Sequence, residues 1–155
     1  MVYFISDAHL GSLLVQSPKQ HEKKLVDLLE KMKADATAIY LLGDIFDFWF
    51  EYRTVVPKGF VRFLGKLAEL VDAGVEVHFF TGNHDIWTFG YLEKEIGLRV
   101  HYKAETMQIG SKKFYLAHGD GLDAEDKGFK FIRKIFHSDL AQKMFRYFPA
   151  QLGQQ

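Results

Sequence analysis

Three short apolar runs separated by helical patterns constrain the fold of this chain more than any other feature. The runs are Val2–Ser6, Ala38–Leu42 and Val75–Phe80, and their length is typical of buried strands. Helical patterns open between them at Ser17-Pro18 and at Pro57. Because strands that alternate with helices form parallel sheets, we predict an α/β fold with a parallel or mixed sheet and flanking helices.

Smaller elements follow the third run. The second helix is predicted to end at Gly74, and a shorter helix is predicted over Phe89–Ile96. Thr106–Ile109 and Lys113–Ala117 flank a turn sequence and are predicted to pair as a hairpin. These elements would extend the α/β domain beyond its third strand.

Composition excludes several classes of protein. The 155 residues include no cysteine, so disulfides and thiolate zinc sites are impossible. Twenty basic residues balance twenty acidic residues, which gives no overall attraction to nucleic acid. The first residues lack a signal-peptide pattern, and no apolar stretch reaches the roughly 20 residues of a membrane span. We therefore expect a cytoplasmic protein without a nucleic-acid partner.

Side chains that commonly bind metals follow four of the predicted strands. They are Asp7, His9, Asp44, Asn83, His84, Asp85 and His118. Ligands of open α/β sheets bind beyond the carboxyl ends of the strands, where these residues would lie. Turn and capping roles explain the acids and the amide, but they do not require the three histidines. The pattern therefore predicts a metal site, in which Asp7 and His9 would point the same way.

The order D-x-H, G-D, G-N-H-D, H resembles the pattern of calcineurin-like metallophosphoesterases over residues 7–118. The resemblance implies that Asp7 and His9 hold a first metal, that Asp44 bridges, and that Asn83 and His118 hold a second. It implies two divalent cations as cofactors, with Mn first and Fe, Co, Zn or Mg as alternatives. The family's closing G-H-x-H motif is absent. We therefore expect the chain to stop before the last strands of the domain.

Two further residues gain catalytic roles from the resemblance. His84 would stay off the metals, contact the substrate together with Asn83, and stabilise charge or protonate the leaving group. Asp47, three residues after Asp44, matches the carboxylate that pairs with this histidine in the family. A turn or helix-cap role is the alternative for Asp47.

The aromatic stretch from Gly43 to Tyr52 and the segment after His118 resemble the UDP-2,3-diacylglucosamine pyrophosphatases of lipid A biosynthesis. In that branch an aspartate eight residues after the histidine contacts substrate, and Asp126 matches it. The implied reaction releases UMP and 2,3-diacylglucosamine 1-phosphate from a lipid-linked nucleotide sugar. Many of those enzymes carry Arg where this chain has His84, so a related subgroup with another substrate stays open.

The last third of the chain is different in character. Asp126–Pro149 is rich in Phe and in basic residues and predicts two helices. We expect a metallophosphoesterase core over 1–122 and a helical lid or insertion over 123–155. This segment would cover acyl chains, touch the inner face of the membrane, or pack against further chain or a second copy.

Two other functions remain open at this stage. One is a phosphoesterase that acts on another nucleotide or phosphodiester. The other is an inactive metal-binding or interaction module, which the absent G-H-x-H motif would suit. A homo-oligomer is a further expectation, because a domain without its last strands would expose apolar surface.

Overall fold

A computed structural model of the chain describes residues 1–119 and Ser138. The strands are β1 (Val2–Ile5), β2 (Ala38–Leu42), β3 (Glu76–Phe80), β4 (Arg99–His101), β5 (Glu105–Ile109) and β6 (Lys112–Leu116), and the helices are α1 (Pro18–Lys33), α2 (Val61–Asp72) and α3 (Tyr91–Lys94). Strands β1 to β4 form a parallel sheet in sequence order, and β5 and β6 form an antiparallel pair. The predicted α/β fold with a parallel sheet is confirmed.

Both faces of the parallel sheet are covered, as parallel sheets require. On one face, alternate residues of β2 and β3 pack with α1 and α2 in the larger apolar cluster. On the other face, Tyr40 and Phe80 pack with Leu116 of the β5–β6 hairpin. The hairpin therefore lies against the sheet, and it places the segment after β6 beside the carboxyl ends of the strands.

Helix α2 begins at Val61, so the predicted start at Pro57 is wrong. Gly59 and Phe60 have φ angles of 106° and 57°, and this left-handed backbone cannot continue a helix. The first N–H groups of α2 are capped by another element. The buried carboxylate of Glu22 in α1 accepts hydrogen bonds from the N–H groups of Arg62, at 3.0 Å, and Phe63, at 3.2 Å.

Helix α3 is also shorter than the predicted Phe89–Ile96, because Gly90 has a φ angle of 105° and delays its start. Strand β4 was not predicted, whereas the hairpin and the helix stop at Gly74 are confirmed. Among the residues described, no helix has the length and apolarity needed to cross a bilayer. The predicted helices in Asp126–Pro149 and the domain boundary after residue 122 lie outside the described residues.

Candidate metal centre

The loops that follow β1 and β2 run side by side past the end of the sheet. Asp7 N–H donates to the carbonyl of Gly43 at 3.1 Å, and His9 N–H donates to the carbonyl of Asp44 at 2.9 Å. These bonds continue the parallel ladder of the two strands beyond its regular end. The loops are therefore fixed relative to each other, and so are the side chains that they carry.

Three candidate ligands in these loops have a left-handed backbone. The φ angles of Asp7, His9 and Asp44 are 53°, 44° and 51°. Asp and His adopt this region more readily than most residues, but it still costs on the order of 1 kcal/mol per residue. Backbone strain of this kind concentrates at functional sites, where the surrounding structure holds it in place.

Two glycines allow the site to be this compact. A Cβ atom on Gly43 would lie 2.6 Å from Nδ1 of His118, and one on Gly82 would lie 2.2 Å from Oδ1 of Asp44. No real Cβ contact is that short. Gly43 and Gly82 therefore let the loops after β2 and β3 and the segment after β6 converge on one point.

The candidate ligand atoms fall into two groups that share Asp44. One group is Asp7, Asp44 and His118, the other is His9, Asp44 and His84, and the ligand atoms within each group lie within 4.8 Å of one another. This grouping separates Asp7 from His9, although the resemblance implied that they share one ion. Asp44 is the residue common to both groups.

The donors of the site fit divalent cations. Nδ1 of His118 lies 2.9 Å from the carbonyl oxygen of Leu42, and its Nε2 lies 3.2 Å from Oδ2 of Asp44. Nε2 of His9 lies 4.0 Å from the same oxygen. Two ligand atoms that each lie about 2.0–2.2 Å from the same ion are separated from each other by similar distances. Histidine nitrogens with carboxylate oxygens suit Mn, Fe, Co or Zn.

Two buried carboxyls in the site have pKa values that shift in opposite directions. Burial by itself would raise the pKa of Asp44, but hydrogen bonds from the His118 ring and the His84 main chain hold that pKa below its ordinary value. Burial raises the pKa of Asp85 to about 6. Asp44 is thus kept as an anion, which suits a ligand shared between two cations.

His84 and Asn83 lie at the exposed edge of the site. Nδ1 of His84 lies 2.7 Å from the main-chain oxygen of Asp47. His84 and Asn83 both line a cleft of about 200 Å³. The carboxylate of Asp47 contacts His9 at 3.1 Å instead of His84. The predicted pairing of that carboxylate with His84 is therefore absent from this geometry, and Asp126 lies outside the described residues.

Asp85 is a further residue of the site, and its structural role was not predicted from the sequence. Its fully buried carboxylate accepts hydrogen bonds from the N–H groups of Gly82, at 2.7 Å, Ile45, at 2.8 Å, and Phe46, at 3.4 Å. It thereby joins the loop that carries Asp44 to the loop that carries Asn83 and His84. The sequence signal for this role was the last position of the G-N-H-D motif. That position supported the family resemblance but did not by itself indicate a buried hydrogen-bond acceptor.

The chain is similar in sequence to several proteins of one name. The chain is 48% identical over 145 residues to a protein named UDP-2,3-diacylglucosamine hydrolase from Porphyromonas gingivalis, a match that covers 93% of this chain and 55% of that protein. Proteins of the same name from Haemophilus influenzae and Neisseria meningitidis serogroup B are 28% and 31% identical, and the matches cover 97% and 95% of this chain.

The chain spans 55–61% of the length of these relatives. The sequence profile described as Calcineurin-like phosphoesterase matches residues 1–149. That match covers nearly all of the chain and includes every candidate ligand described above. The protein therefore belongs to the calcineurin-like phosphoesterase family.

Proposed function

We propose that this protein is a metal-dependent hydrolase that cleaves the pyrophosphate of UDP-2,3-diacylglucosamine into UMP and 2,3-diacylglucosamine 1-phosphate. The observation that carries the proposal is the pair of ligand groups that share Asp44. The names of the relatives support the substrate, since the chain is 48% identical to one of them. The partner is accordingly a lipid-linked nucleotide sugar.

The proposed metal ligands are Asp7, His9, Asp44, Asn83 and His118. His84 falls in one group with His9 and Asp44, but it is proposed to act on the substrate instead. Two bound divalent cations, with Mn preferred, would neutralise the phosphoryl oxygens and supply an activated water. The protein's own contribution is to fix the ligands in place through the strand ladder and through the close approach of Gly43 and Gly82. Phosphoryl transfer depends on such positioning, because water must attack phosphorus in line with the bond that breaks.

His84 is proposed as the residue that acts on the substrate. Its Nδ1–H donates to the main-chain oxygen of Asp47, which leaves Nε2 available at the exposed edge of the site. When Nε2 also carries a proton, the ring can stabilise negative charge on the departing oxygen or deliver that proton to it. Asn83 is adjacent and is proposed to contact the same phosphate.

An apolar cleft beside His84 suits the lipid-bearing part of this substrate. The cleft is lined by Phe48 and Trp87, and the side chain of Phe48 is exposed. The neighbouring Phe46 is fully buried and belongs to the core, whereas Trp49 is buried but also lines the cleft. The aromatic stretch therefore divides between core packing and a surface next to the site.

Several parts of the proposal concern residues 123–155 and the surroundings of the protein. Asp126 is proposed to contact the substrate, and 123–155 is proposed to act as a helical lid. A substrate with acyl chains would bring the protein to the cytoplasmic face of the membrane as a peripheral protein. Association into a homo-oligomer is a further proposal, to be checked by light scattering.

The decisive experiment measures UMP release from UDP-2,3-diacylglucosamine with Mn²⁺. Asp44→Ala should abolish release, because it removes the ligand common to both groups. Asp27→Ala, which removes an exposed carboxylate from α1, serves as the control and should leave the rate unchanged. Hydrolysis of small phosphodiesters without UMP release would reject the lipid substrate. Release that persists in Asp44→Ala would reject the metal centre.

A further inference from the structure

Asp47 lies between two imidazole rings and contacts each of them with a different group. Its side-chain Oδ1 is 3.1 Å from Nδ1 of His9, and its main-chain oxygen is 2.7 Å from Nδ1 of His84. The two rings stand edge to face, with their centroids 4.9 Å apart. One residue therefore contacts both histidines, but only one of the two contacts involves its carboxylate.

The contact with His9 determines what that ring can offer to a cation. An ionised carboxylate only accepts hydrogen bonds, so the ring nitrogen that faces Asp47 must carry the hydrogen. Nε2 of His9 then keeps its lone pair, and it faces Oδ2 of Asp44 at 4.0 Å. A carboxylate behind a metal-binding histidine fixes the tautomer and the ring orientation in this way.

The backbone that carries the Asp47 side chain is held in place by the neighbouring loop. The N–H of Asp47 donates to the carbonyl of Leu10 at 3.0 Å, and Leu10 also forms a parallel bridge with Phe46. The side chains of His9 and Asp47 are each about one-third exposed. Solvent therefore weakens the electrostatic attraction between them, and the main effect of the contact is to orient the ring.

We propose that the carboxylate of Asp47 is a positioning residue for the metal ligand His9, while His84 is oriented by the main-chain carbonyl of Asp47 and not by its side chain. This assignment rests on the proposed metal centre and differs from the side-chain pairing implied by the family resemblance. It has a direct consequence for mutagenesis. A substitution at position 47 should disturb His9 and leave His84 in place, since the main-chain carbonyl survives any substitution.

The first test reads the tautomers of the two histidines without metal or substrate. In the ¹⁵N-labelled protein, ring nitrogen shifts should show the Nδ1–H tautomer for both His9 and His84. In Asp47→Ala, His9 should lose this preference while His84 keeps it, and Asp47→Asn should restore it because the amide oxygen still accepts the hydrogen bond. If Asp47→Ala changed His84 and left His9 unchanged, the proposal would be overturned.

The second test is calorimetric titration with Mn²⁺ alone. Asp47→Ala should weaken the affinity for Mn²⁺ about 10- to 100-fold, because the loss of a residue that hydrogen-bonds to a metal ligand has this effect in other metal sites. Asp47→Asn should recover most of that loss, and Asp27→Ala should match the wild type. Unchanged affinity in Asp47→Ala, or a wild-type protein that binds no Mn²⁺, would contradict the assignment. Neither test uses a substrate, so a wrong lipid assignment would leave both results interpretable.

Discussion

Replacing Gly82 with alanine is expected to damage the metal centre while leaving the fold in place. The new Cβ atom would lie 2.2 Å from Oδ1 of Asp44 and 2.5 Å from its main-chain nitrogen. The side chain of Asp44 can rotate away from this contact, but its main-chain nitrogen cannot. Because Cβ contacts below 3.0 Å essentially do not occur, the two backbones must separate by at least 0.5 Å.

The size of that displacement sets the expected loss. Active-site groups must be held to within about 0.5 Å, and a 1 Å misplacement costs about 100-fold in rate. We therefore expect Gly82→Ala to lower kcat/KM by roughly 10- to 100-fold and to weaken Mn²⁺ binding. Crowding in a packed region should also lower the free energy of unfolding by about 1–3 kcal/mol.

The assay combines Mn²⁺ calorimetry, hydrolysis rates and urea denaturation. Gly65→Ala is the matched control, because a Cβ atom at Gly65 meets nothing within 4 Å. That substitution lies inside α2 and should raise stability by up to about 1 kcal/mol without affecting activity. Wild-type affinity and rate in Gly82→Ala would refute the view that the close approach to Asp44 builds the site.

Two further predictions concern the fold. Glu22→Ala should lower the free energy of unfolding by about 1–2 kcal/mol, because two N–H groups at the start of α2 lose their acceptor, and Glu22→Gln should retain most of the stability in urea denaturation. Burial first, then the charges of His101 and Arg99, lower the pKa of His78 below 6.5. The unfolded chain thus binds a proton that the folded chain does not, and stability should fall as pH decreases through 6.5 toward the lower folded-state pKa. In His78→Phe, the free energy of unfolding should fall less steeply with decreasing pH, by at most about 1.4 kcal/mol per pH unit. A pH dependence equal to that of the wild type would contradict this.

Periodicity in the sequence predicted the elements that pack against the main core. The runs that became β1 and β2 are apolar along the whole strand, which is how strands covered on both faces appear, and β3 is apolar at three of its five positions. The start of α2 could not be predicted, because the pattern did not show that Phe60 adopts a left-handed backbone. The cap from Glu22 was equally hidden, since it joins residues 40 positions apart.

The identity of the candidate ligands was predictable, but their arrangement was not. Residue types and spacing indicated Asp7, His9, Asp44 and His118 as candidate ligands. The reason was that turns do not require histidine, whereas His9, His84 and His118 all follow predicted strands. The grouping of Asp7 with His118 depends on how the β5–β6 hairpin lies on the sheet. The contact of Asp47 with His9 depends on a side-chain rotamer, about which spacing carries no information.

The left-handed backbone at Asp7, His9 and Asp44 also bears on how this protein can be engineered. Glycine at each position would relieve strain on the order of 1 kcal/mol, and it would also delete a candidate ligand. Variants chosen only for a higher melting temperature would therefore tend to lose the centre one residue at a time. Any stabilisation campaign for this fold needs a metal-binding screen run in parallel, since thermal resistance and retention of the ion favour opposite residues at these positions.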